Sequence, residues 1–207
     1  MSLTLKNNSK GFTLIEMIVV VAIILIITVV VLSNLPAFRD KTSLDLLAQE
    51  MAITIRQAQV FGISTKTSGG GSFPSFGIHF DDWNTTSGQN GFVLFADVPP
   101  LNQTDGNNVY DVGSNCGTDN STTECREHFF FRGGVKITNI VGACPSCSTP
   151  NSLNIVFKRP DTDARFFDDS GGAEQFFSNV KITISKGSDT RCIYIYQTGH
   201  IYASTCP

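Results

Sequence analysis

The chain has 207 residues, with 15 Lys and Arg against 18 Asp and Glu, a formal charge of −3, and six cysteines. That length suits one domain plus an appendage, and a net acidic chain gives no electrostatic case for general nucleic-acid binding. The 41% of hydrophobic residues are distributed unevenly along the chain.

Residues 1–11 form a short polar leader that carries Lys6 and Lys10 and no acid. A secretory signal places its small-residue cut after the apolar region, whereas here the apolar run follows the leader. The apolar segment is therefore expected to survive in the mature protein. From Phe12 to Leu32, 21 residues hold one charge, Glu16, and two threonines, Thr13 and Thr28. At about 1.5 Å per residue this is a helix of roughly 31 Å, which matches a bilayer core of about 30 Å. The spacing predicts a transmembrane half over residues 12–35.

Glu16 is the odd residue there, because a carboxylate deep in lipid costs roughly 2.5–3.5 kcal/mol on insertion scales. The local explanation is a capping box, Thr13-Leu14-Ile15-Glu16, with the acid in the first turn where the helix dipole favours it. A second explanation begins with a cut between Gly11 and Phe12. The new α-amine would lie four residues before Glu16, with a reference pKa of about 8, and would neutralise it inside an apolar assembly.

After Leu32, Pro36 removes a backbone donor and predicts a kink or loosening of the helix. Over residues 36–62, Leu44, Leu47, Ala48, Met51, Ile55 and Ala58 recur at three- and four-residue steps between polar positions, which predicts an amphipathic half. Ser68-Gly69-Gly70-Gly71-Ser72 then reads as a flexible break, without the lysine and preceding strand of a phosphate loop.

Residues 63–207 are expected to form a β-rich head. Candidate strands are Phe76–Phe80, Gly91–Ala96, Glu127–Arg132, Val135–Val141, Leu153–Lys158, Ala164–Phe167, Val180–Ser185, Cys192–Tyr196 and His200–Ala203. Val180, Ile182 and Ile184 alternate with Lys181, Thr183 and Ser185, as a half-buried strand requires. Glycine turns at Gly133-Gly134, Gly187-Ser188 and Thr198-Gly199 imply antiparallel pairing. Between Leu101 and Glu124 the polar composition predicts a long surface excursion stapled by Cys116 and Cys125.

All six cysteines, Cys116, Cys125, Cys144, Cys147, Cys192 and Cys206, lie in the head. An even count in loop-rich sequence reads as oxidised pairs in an oxidising compartment, and so places the head outside the cytoplasm. Lys6 and Lys10 are balanced by Arg39 and Lys41, so charge alone does not orient the segment. Sequence proximity favours Cys116–Cys125, Cys144–Cys147 and Cys192–Cys206 among 15 connectivities.

Chemistry is sparse. Cys144-Pro145-Ser146-Cys147 has redox spacing but no helix follows it and no βαβ pattern surrounds it. No second cysteine pair completes a zinc site. His79, His128 and His200 are scattered and read as solvated strand or turn residues. Two acidic clusters, Asp161, Asp163, Asp168 and Asp169, and Asp105, Asn107 and Asp111, lack the calcium-loop pattern and read as polar turns. No catalytic residue, metal or cofactor is expected.

Gly11-Phe12-Thr13-Leu14-Ile15-Glu16 and the apolar run behind it resemble the cleavage and methylation motif of type IV prepilins and type II secretion pseudopilins. The resemblance implies that a membrane peptidase cuts after Gly11 and N-methylates Phe12. It also implies that Glu16 pairs with the terminal amine of a neighbouring subunit during filament assembly. A long helix before a β-rich domain ending in Ile193-Tyr194-Ile195-Tyr196-Gln197-Thr198-Gly199-His200-Ile201-Tyr202 is similar to H-type minor pseudopilins and FimT-like minor pilins. Some FimT-like pilins bind DNA through arginines after that glycine, where this chain has His200 and Tyr202.

The expected fold is α+β and pilin-like: a long N-terminal helix packed on an antiparallel β-sheet head. The expected role is a minor pilin or pseudopilin of a type IV pilus or secretion pseudopilus, first in the inner membrane with its N-terminus cytoplasmic, then in the filament. The partners implied are other pilin subunits, the prepilin peptidase, the inner-membrane assembly platform and lipid. A DNA-binding or adhesive tip pilin is the alternative. A tethered redox protein using Cys144 and Cys147 is a third reading.

Overall fold

The structure, a computed structural model, describes residues 11–64, 74–80, 91–98, 106–111, 116, 124–144, 150, 152–168 and 172–206. The chain divides into two compact units, Met1–Asp40 and Lys41–Pro207. One helix, α1 (Leu14–Ile63), contributes to both.

In the first unit α1 is long and apolar enough to cross a membrane, and none of its most apolar window is buried. Its Val and Ile content would favour strands in water. A single lipid-embedded segment must satisfy its own backbone groups, and only a helix does so within one segment. Thr28 Oγ1 and Ser33 Oγ turn back onto the carbonyls of Ile24 (2.7 Å) and Val30 (2.8 Å), so neither hydroxyl is left unsatisfied. Pro36 lies inside the helix, which continues through it to Ile63.

In the second unit α1 buries one face. Leu44, Ala48, Met51, Ala52, Ile55 and Ala58 are buried, while Leu46, Ile53 and Val60 are exposed. The helix is fastened by side chains as well as by packing. Arg56 Nη2 donates to the carbonyl of Ile201 (2.6 Å), and Gln59 Nε2 donates to those of Thr162 (2.9 Å) and Gly199 (3.2 Å). Near its end Gly62 lies against the backbone of Phe157, where a Cβ would overlap the carbonyl oxygen. This contact requires glycine.

Ten strands follow: β1 (Ser75–Phe80), β2 (Gly91–Asp97), β3 (Cys125–Phe130), β4 (Lys136–Ala143), β5 (Leu153–Phe157), β6 (Ala164–Phe167), β7 (Glu174–Gln175), β8 (Asn179–Lys186), β9 (Asp189–Tyr196) and β10 (Ile201–Thr205). They build two sheets rather than one, in the orders β3-β2-β1-β5-β6-β7 and β10-β9-β8-β4. All their pairings are antiparallel. The main core joins the α1 stripe to both sheets. The six-stranded sheet gives Ile78, Phe80, Phe92, Leu94, Leu153, Ile155 and Phe157, and the four-stranded sheet gives Ile137, Ile140, Val180, Ile182, Ile184, Ile193 and Ile195. Period-two alternation sends intervening residues to the opposite faces. On the six-stranded sheet, Val93, Phe95, Val156 and Phe167 thereby form a second cluster with Cys125, covered by Val109 and Tyr110.

That second cluster adds to one expectation. Part of the 101–124 excursion, residues 106–111, packs on the sheet, because the outer face is too apolar to stay wet. Cys116 and Cys125 are joined (Cα–Cα 4.6 Å), as are Cys192 and Cys206 (5.1 Å). Cys144 is disulfide-bonded, and its expected partner Cys147 lies outside the described residues. The expected break over residues 68–72 also lies outside them.

Candidate processing and assembly site

Residues 11–13 precede the helix in coil, and Gly11, Phe12 and Thr13 are all exposed. Among the described residues no atom outside the adjacent chain lies within 4 Å of where a Gly11 Cβ would sit, and Phe12 is 78% exposed. The Gly11–Phe12 peptide bond lies ahead of the helix and takes part in none of its hydrogen bonds. Thr13 caps the helix: its Oγ1 accepts from the backbone N–H of Glu16 (3.3 Å), and its carbonyl accepts from Met17 (3.3 Å). The cap satisfies one of the four amide donors that a helix start leaves unpaired.

Glu16 therefore stands at the third helical position, exposed, with its carboxylate near the positive end of the helix dipole. Among the described residues no ion pair to Glu16 is formed. Removal of the leader would create an α-amine on Phe12, just before the cap. The segment thus brings together Gly11, Phe12 and Glu16, while Pro36 lies far along the same helix.

The second unit presents its own polar features. Between α1 and β3 runs an open groove of about 540 Å³, lined by Leu46, Leu47, Glu50, Glu127, Phe129 and Val135. Tyr194, Tyr202 and Tyr196 form a ladder of near-parallel rings on the outer face of the four-stranded sheet, with centroids 5.0 Å and 6.2 Å apart. The histidines divide. His200 is exposed and His128 half-buried against the Phe130 ring. His79 is buried, 3% exposed, with Nδ1 2.9 Å from Asn154 Oδ1. Solvation was therefore the wrong expectation for His79: β1 is covered on both faces, and an asparagine on β5 supplies the ring's partner. Among the acidic clusters, Asp161 faces Arg165 at 3.8 Å, Asp168 accepts from Gln175, and Asp111 accepts from Asn107. Asp105 and Asp169 lie outside the described residues.

Sequence reasoning missed the Asp45–Arg191 pair, which joins α1 to β9 across 146 positions. The hydrogen bond from Arg191 holds the Asp45 carboxyl below the ordinary carboxylate range, and Asp45 in turn raises the Arg191 guanidinium. A depressed carboxyl stabilises the fold above its unfolded value and loses that contribution as the pH falls through its folded value. Asp45→Asn is expected to lower stability by about 1 kcal/mol or less at neutral pH, since the Asp45 side chain is 44% exposed and its pair is screened by water. In urea titrations the difference from the parent chain should vanish well below pH 3.8; a difference that persists there would rule out the ionic origin.

Comparison with known proteins bears on the first unit. Residues 6–32 match the family described as the prokaryotic N-terminal methylation motif. No curated protein and no solved structure matches the chain. The matched stretch spans residues 6–10, the exposed Gly11–Phe12 bond, the capped first turn with Glu16 and the apolar helix. Residues 6–32 thus carry a prokaryotic N-terminal methylation motif.

Proposed function

We propose that the chain is a minor pilin or pseudopilin, a structural subunit of a type IV pilus or type II secretion pseudopilus that is assembled through its N-terminal helix. The observation that supports this most directly is the exposed Gly11–Phe12 bond just ahead of a capped apolar helix whose first turn holds one acid. Prepilin peptidase removes residues 1–11 and methylates Phe12. The helix first sits in the inner membrane with its N-terminus cytoplasmic, and the disulfide-bonded head lies on the oxidising side. On assembly, helix–lipid contacts are exchanged for helix–helix contacts at little apolar cost, because lipid tails and Ile or Val side chains are about equally apolar. The exchange becomes specific through Glu16, which gains the methylated amine of a neighbouring subunit in place of water near the membrane face. A charged hydrogen bond of this kind gains strength as water is excluded.

The test is intact-mass analysis of the chain co-expressed with a prepilin peptidase. The expected product begins at Phe12 and carries one added methyl group. A product still beginning at Met1 in the presence of active peptidase would overturn the proposal.

A further inference from the structure

In the second unit α1 carries two apolar lines. One, made of Leu44, Ala48, Met51, Ile55 and Ala58, is buried in the head. The other is Leu46, Ile53 and Val60, spaced seven residues apart and 62%, 65% and 56% exposed. At about 3.6 residues per turn it lies on the opposite side of the helix from the buried line. None of the three belongs to the core of the head. Single exposed apolar residues are ordinary on a protein surface, but a row at heptad spacing is the pattern of a seam between two helices.

The seam has a second wall. The groove of about 540 Å³ beside Leu46 and a depression of about 470 Å³ beside Ile53 share Leu46, Glu50, Glu127 and Phe129, so the two form one trough between α1 and β3. Phe130, 55% exposed, adds apolar surface on the β3 side. Glu50 stands on α1 and Glu127 on β3, both exposed, and among the described residues neither forms an ion pair. These acids outnumber the one Lys or Arg among the described lining residues, Arg132. Such a rim repels anionic lipid headgroups and nucleic-acid phosphates, and so favours an uncharged apolar occupant.

The chain itself offers one. Residues 14–32 of α1 are apolar apart from Glu16 and Thr28, and none of the most apolar window is buried. In a membrane lipid covers that surface, and in a filament other protein must cover it. Ile18, Leu25 and Leu32 repeat the seven-residue step of Leu46, Ile53 and Val60 over the same length of about 21 Å. Helices whose apolar lines share a period stay in contact along their length.

We propose that the trough of one copy receives the 14–32 helix of a second copy, an inference that rests on the reading of the chain as a filament subunit assembled through α1. The two patches differ, so the contact is heterologous: each copy offers one helix and one trough, and copies can add without the series closing. Assembly thereby gains a docking place on the folded head, separate from the pairing of Glu16.

Ile53 is the position to test, being exposed and outside the core. Ile53→Glu is expected to be cleaved normally and to keep the urea midpoint of the parent chain. Its share in sheared filaments should fall about tenfold or more, since a carboxylate buried against an apolar helix costs more than one tenfold step. Thr190→Glu, which puts the same charge at an exposed site on β9, should incorporate normally. Normal incorporation of Ile53→Glu would overturn the docking and leave the filament reading standing. An unsubstituted chain that is neither cleaved nor found in filaments would overturn both. The occupant is identified by co-expressing two forms, one with Ile53→p-benzoylphenylalanine and one with an affinity tag. Irradiation of filaments is expected to join the two forms through residues 14–32 of the tagged one, read by peptide mass. A crosslink confined to one chain, to lipid or to a different protein would overturn the assignment of the occupant.

Discussion

Ile55→Ala is expected to destabilise the second unit by about 2–5 kcal/mol, the range for deleting a buried branched side chain without full collapse of the cavity. Ile55 is fully buried and sits in the middle of the α1 stripe that joins the core of both sheets. Its neighbours cannot close the gap easily. Met51 and Ala58 lie one turn away on the same rigid helix, and Arg56 and Gln59 fasten that helix to carbonyls at Ile201, Thr162 and Gly199. Exposed Leu46, on the same helix, serves as the comparison. Leu46→Ala should change the urea midpoint little, within about 0.5 kcal/mol. If the two substitutions cost the same, the helix stripe is not what holds the sheets.

The second large effect concerns assembly and leaves stability aside. Glu16→Val is expected to be cleaved and methylated like the unsubstituted chain, because the scissile bond lies ahead of the helix and is reached without Glu16. Incorporation into filaments should fall by about tenfold or more. An unpaired charge in an apolar environment costs roughly 2.5–3.5 kcal/mol, and the substitution leaves the Phe12 amine without its acid. Quantifying the chain in sheared filaments against the membrane fraction gives the ratio. Normal processing with normal incorporation would show that the amine finds another partner. A loss of processing would instead place Glu16 in recognition by the peptidase.

The legibility of this chain follows the range of the interactions. The membrane-length helix, its cap and the methylation motif ahead of it are local, and each is set by residues within a turn or two of one another. The α1 stripe could be read because its period is helical, and the burial of Leu44, Ala48, Met51, Ile55 and Ala58 matches it. Hairpins such as β8–β9 could be read because alternation and a glycine turn are local as well, though β3 begins at Cys125, two residues ahead of the expected start. Nothing local told His79 to be buried. Its solvation was inferred from its polarity, while its actual environment depends on Asn154, 75 positions away.

The order of residues by itself determined a greasy helix with one acid in its first turn, a glycine–phenylalanine step before it, an amphipathic continuation, and antiparallel strands with cysteines placed for short loops. Only the tertiary structure decided that the strands divide into six and four, that Arg191 meets Asp45, and that Asp97, Glu124 and Asn154 converge under one short segment. The physical reason is that local geometry follows from neighbouring side chains and backbone sterics. Partnership between distant strands is settled by which apolar faces can be covered at once, and the buried acids take whatever surroundings that packing leaves them.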